Sequence, residues 1–176
     1  ATAGPVATWR DRTSDEIRDI AVSRYADGKW QPPVIVSNDG WQIAGCPVNG
    51  STIAARGQRV AVAWYTAPNR QAKVKLTWSI DGGRTFATPV LVDEGAVSGR
   101  TDVTLLADDS ALVTWTGKAA DGGGQLRQRR IPARGAPGHV QVIAEGDVSR
   151  SAGFPQMVKG RDRLDGTAFA DFLQAA

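Results

Sequence analysis

The chain has few of the residues on which covalent or metal chemistry is usually built. Its 176 residues include one cysteine (Cys46), one histidine (His139), one methionine and two tyrosines. A single cysteine excludes an internal disulfide, and without a partner base Cys46 reads as a small buried residue. His139 stands among Gly, Pro and Ala in a loop-like stretch, so a histidine metal site or a Ser-His triad has nothing to assemble from. No metal or cofactor is therefore expected. No apolar run approaches bilayer-spanning length, and no basic-then-apolar leader is visible. Charge is scattered, with a net value of +3. The nearest thing to a basic block, Gln128-Arg129-Arg130, lies in a strand-like segment, which argues against a nucleic-acid groove.

What is abundant is turn and strand material. Twenty glycines, nine prolines and six tryptophans suit many short strands joined by tight turns. The 41% hydrophobic and 22% charged fractions are those of a folded chain, and the length suits one domain, residues 1–176. No segment sustains a 3.6-residue period, so an all-β fold is predicted.

The clearest local signal is Ser79-Ile80-Asp81-Gly82-Gly83-Arg84-Thr85-Phe86. Gly82 and Gly83 tolerate positive φ at a turn, Asp81 can accept turn N–H groups, and Ser79 can add a hydroxyl contact. Thr85 and Phe86 complete the pattern, the ring being buried beside a returning strand. Strands are predicted on both sides, Val74–Trp78 and Pro89–Val92. An earlier copy that keeps only the turn and aromatic runs through Gly28, Trp30 and Pro33; Trp30 to Phe86 and Pro33 to Pro89 are both 56 positions.

A second repeat is longer. Val60-Ala61-Val62-Ala63-Trp64 matches Ala111-Leu112-Val113-Thr114-Trp115 at a spacing of 51, and Glu94-Gly95 recurs at the same spacing as Glu145-Gly146. The unit reads strand, turn, Trp-ended strand, loop, third strand, hairpin, fourth strand. Four strands in about 40–50 residues is the signature of a β-propeller blade. Residues 44–95 and 96–146 each make a blade on this reading. Residues 1–43 supply the later strands of a preceding one, with a capped helical turn or a polar loop around 11–17. Residues 147–176 begin another, with Gly153–Val158 as its first strand. Propellers typically close with about 4–8 blades. The chain is thus a segment of a larger propeller, an irregular four-bladed ring, or one of two self-associating chains that cover each other's edges.

The pattern Ser-x-Asp-x-Gly-x-Thr-Phe, carried by Ser79, Asp81, Gly83, Thr85 and Phe86, resembles the Asp-box of the sialidase and BNR-repeat β-propellers. In that family these turns lie on the outer rim and are structural, and the ligand sits over the central axis. The resemblance implies a sialidase-like propeller segment that recognises glycans, acidic sugars among them, in a secreted or periplasmic setting. The alternative is a non-catalytic propeller module that binds glycan or protein.

The family's arginines bind the sugar carboxylate, and the 51-residue repeat brings Asn49, Arg100 and Ser151 into register, with Arg150 one position away. The segments 45–50, 97–102 and 148–153 are expected to feed the innermost strands. Arg100 and Arg150 resemble two members of the arginine triad, with Arg18 a third and Asn49 beside them; a planar fork suits a carboxylate. Surface or inter-blade pairing, such as Arg100 with Asp102, is the alternative role. Asp19 and Asp102 are the candidates for an acid/base that could face the axis. A retaining sialidase also needs a Tyr nucleophile assisted by Glu. Neither Tyr25 nor Tyr65 lies in such a context, and the family's Arg-Ile-Pro motif occurs only as Arg130-Ile131-Pro132, in another part of a blade.

Overall fold

The computed structural model describes residues 4–45, 47–146, 148 and 153–158. These residues are all-β, and a 3₁₀ turn at Pro68–Arg70 is the only helical element among them. The first sheet holds β1 (Val6–Arg10), β2 (Ile20–Ala26), β3 (Lys29–Trp30) and β4 (Val34–Ile35). β1 pairs with one edge of β2, while β3 and β4 share the other. Pro32 and Pro33, which have no N–H to donate, separate those two short strands. The second sheet runs β5 (Ser51–Arg56), β6 (Arg59–Thr66), β7 (Lys73–Ser79), β8 (Val90–Glu94) in spatial order. The third repeats it with β9 (Val97–Leu105), β10 (Ala111–Lys118), β11 (Gly124–Ile131) and β12 (Gln141–Gly146). Each is an antiparallel blade, and the predicted Trp-ended strands are β6 and β10.

Several details differ from the sequence reading. Val6-Ala7-Thr8-Trp9 forms β1, so the first sheet also has its Trp-ended second strand, 55 positions before Trp64. Of the two forms the sequence left open for the stretch after it, the structure has the polar loop: Glu16 N–H donates to the Thr13 carbonyl (3.1 Å), and Glu16 has a φ of 60°. Residues 97–102 do not feed the inner strand; they are its first part, because Gly95 (φ 87°) turns the chain at once into β9. Residues 153–158 form no strand, although Met157 N–H donates to Asp102 on β9. Arg150 and Ser151 lie outside the described residues, as does Cys46.

The sheets stack through two apolar clusters. Alternate residues of β6 face opposite neighbours, as a pleated strand requires. Val60, Val62 and Trp64 meet Ile20, Val22 and Val36 of the first sheet, while Ala61 and Ala63 join Val74, Leu76, Val113 and Trp115 toward the third. The alanines leave room for Trp115 and the β9 valines. Trp64 and Trp115 are fully buried, and each indole N–H finds a carboxylate: Asp39 (3.0 Å) and Asp93 (2.9 Å). The same carboxylates take a cation from the strand paired with the tryptophan, Lys75 on Asp39 and Arg127 on Asp93. The second sheet is thus clamped to the loop after β4, and the third sheet to β8, by Trp, Asp and a basic side chain.

Candidate functional site

At the end of the sheets where the inner strands β5 and β9 begin lies an open hollow of about 600 Å³, lined by Arg10, Arg12, Glu16, Arg18, Ala44, Gly45 and Pro47. Two connections build it: the β1–β2 loop, and the loop from the first sheet into β5. Arg10, at the end of β1, is locked in place. Its guanidinium donates to the carbonyls of Asn49 (2.9 Å), Arg18 (2.7 Å) and Tyr65 (2.6 Å), and it lies over the Trp41 ring at 4.9 Å. Burial draws Arg10 down to about 10, against the pull of Asp39 and Asp19, so it stays cationic at neutral pH.

Arg18 donates to the Ile43 carbonyl (3.3 Å) and the Gly45 carbonyl (2.9 Å), fixing one wall. Glu16 stands between two guanidinium groups. Its Oε2 accepts from Arg18 Nη2 at 2.5 Å, and its Oε1 accepts from Arg12 Nε at 3.2 Å and from Arg12 Nη2. The Arg12 hydrogen bond holds the Glu16 carboxyl below its usual range, and Glu16 in turn raises Arg12. The Arg12 side chain is 63% exposed and that of Arg18 only 12%.

The structure brings Arg18 to this hollow and puts Arg100 elsewhere. Arg100 sits inside β9 at a bulge, 6% exposed, with its guanidinium over the Phe154 ring (5.3 Å) and donating to the Gly153 carbonyl (3.1 Å). Asn49 links the two places. Its carbonyl accepts from Arg10, while its side-chain amide donates to the Ser98 carbonyl (3.1 Å) and accepts from Arg100 N–H (3.1 Å). Gly99 is required there: its φ is 104°, and a Cβ would lie 2.3 Å from the Asn49 amide nitrogen. Asp19 accepts from Ser37 Oγ and Asp39 N–H, both at 3.2 Å. Asp102 accepts from Val103 N–H (2.9 Å) and from Met157 N–H. Among the described residues, no group of three or more His, Cys, Asp or Glu could hold a metal ion.

No protein-family model matches this chain, and no curated protein sequence does. A solved structure does: a microbial sialidase, Hz136 (Hadza), at a TM-score of 0.52 and 16% identity over 81% of this chain. The fold is sialidase-like. The chain spans 35% of that protein's length.

The Ser79–Phe86 turn lies at the opposite end of the second sheet from the hollow, between β7 and β8. Asp81 Oδ1 accepts from Ser79 Oγ (2.7 Å) and from the N–H groups of Arg84 and Thr85 (both 3.0 Å); its Oδ2 accepts from Thr85 Oγ1 (2.6 Å). Ser79 Oγ accepts from Gly83 N–H (2.8 Å), and Phe86 packs on the cluster around Trp64. Sequence reasoning missed Arg10, Arg12 and Glu16. The signal was present: Thr8-Trp9 repeats Thr114-Trp115, and recognising β1 by it would have made residues 11–19 a connection between second and third strands. The basic residues of β11 were legible as a short block in a strand, but not what they pair with. They are consumed internally, Arg127 on Asp93, Arg129 on the Val92 carbonyl and Arg130 on Asp108.

Proposed function

We propose that this chain recognises glycans, with a preference for carboxylated sugars, at the hollow lined by Arg10, Arg12 and Arg18. The observation that carries this reading is the convergence of three guanidinium groups on one open recess where the inner strands begin. Guanidinium forks suit carboxylates because they donate two parallel hydrogen bonds while carrying charge. A sugar ring would rest against Ala44, Gly45 and Pro47, with its carboxylate toward Arg12 and Arg18. The sialidase named in the structural comparison supports the glycan class.

Recognition without hydrolysis is our reading for these residues. A glycosidase needs one carboxylic acid to protonate the leaving oxygen. Glu16 is held ionised by Arg12 and Arg18, and the carboxylates of Asp19 and Asp102 are engaged by hydrogen bonds within the chain. Calorimetric titration of the wild-type chain with sialic acid and with galactose tests the proposal. Sialic acid should bind more tightly, and Arg12→Ala should weaken it about three- to tenfold. Arg100→Ala, by contrast, should act mainly on melting temperature, since its guanidinium is covered by Phe154. Equal affinity for the two sugars, or no effect of Arg12→Ala, would refute the reading.

A further inference from the structure

We infer that Glu16 is a resident competitor for the hollow's arginines, and that it sets the site's selectivity among carboxylated ligands. The inference rests on the glycan reading above. A carboxylate ligand would need what Glu16 already has: one oxygen on Arg12 and the other on Arg18. Glu16 is put there by its backbone, not by chance of a long side chain. Its N–H donates to the Thr13 carbonyl and its own carbonyl accepts from Ile43 N–H, both at 3.1 Å. Its φ of 60° is one that non-glycine residues rarely adopt, so surrounding bonds must hold it. Arg18 is anchored by the carbonyls of Ile43 and Gly45, whereas Arg12 is mostly exposed and can swing.

An arriving carboxylate therefore displaces Glu16 first at Arg12 and then competes with it for Arg18. Because a carboxylate replaces a carboxylate, charge alone gives little net gain. A small acid such as acetate gains almost nothing, and only a ligand whose ring adds contacts with Ala44, Gly45 and Pro47 binds well. Glu16 thus screens out simple anions and makes the recess selective for acidic sugars.

Glu16→Gln removes the competing charge and keeps the shape; Glu16→Asn also removes the charge, with a shorter side chain that tolerates positive φ better. Titration of wild type and both variants with sialic acid, acetate and galactose reads the effect. Either variant should bind sialic acid about tenfold more tightly, acetate should become detectable, and galactose should be unchanged. Two variants guard against one failing to fold. Sialic acid binding that is equal to or weaker than wild type in a folded variant overturns the inference and leaves the glycan reading standing. Absence of sialic acid binding in wild type and variants alike overturns both.

Discussion

Asp81 shows how one carboxylate can organise a turn. Burial pushes its carboxyl up, but the hydrogen bonds from Thr85, Ser79 and Arg84 outweigh this and hold it at about 2. A depressed carboxyl contributes stability above its ordinary value of 3.8 and loses it as pH falls toward about 2. Asp81→Ala leaves the Arg84 and Thr85 N–H groups without their acceptor and should cost about 1–3 kcal/mol at neutral pH. Thermal melts at pH 6 and pH 2 check both statements: the gap between wild type and variant should narrow at the lower pH. Sugar binding should survive, because the turn is at the far end of the sheet from the hollow. A variant with an unchanged melting temperature and no sugar binding would contradict this.

At the scale of strands, the Trp-Asp-cation clamps join one sheet to the next. Asp39 is the stronger case, accepting from the Trp64 indole and from Lys75 with its side chain only 6% exposed. Asp39→Ala would leave a buried indole N–H and an ammonium unpaired, costing about 2–4 kcal/mol. Lys75→Ala should cost less, because Trp64 keeps its acceptor. A double-mutant cycle on Asp39 and Lys75, followed by chemical denaturation, should return a coupling of about 1 kcal/mol or more. Additive costs would reduce the clamp to its indole bond.

For the whole molecule, the sheets are similar in plan but differ in their surroundings. Trp64 and Trp115 are enclosed between sheets, whereas Trp9, the corresponding residue of β1, is 37% exposed. Far-UV circular dichroism should give a β spectrum without helical minima, since the only helical element among the described residues is one 3₁₀ turn. A helix-dominated spectrum would be incompatible with the three sheets.

Local chemistry alone determined a good deal. Alternating apolar residues, turn glycines and the 51-residue spacing of Trp64 and Trp115 specify strands and their order, because strand periodicity and turn geometry act over a few residues. The Ser79–Phe86 turn was legible for the same reason: its donors and acceptors lie within eight positions. The hollow was not. Arg10, Glu16 and Arg18 meet Ile43, Gly45 and Asn49 only after β2 and the loop beyond it fold back, and nothing in their spacing distinguishes a guanidinium on a carbonyl from one on a ligand. The role of Asn49 was hidden likewise, since it depends on β9 passing close enough that Gly99 can carry no side chain. Packing between sheets decided which arginines were enclosed, as with Arg100 under Phe154, and which remained open to solvent, as with Arg12.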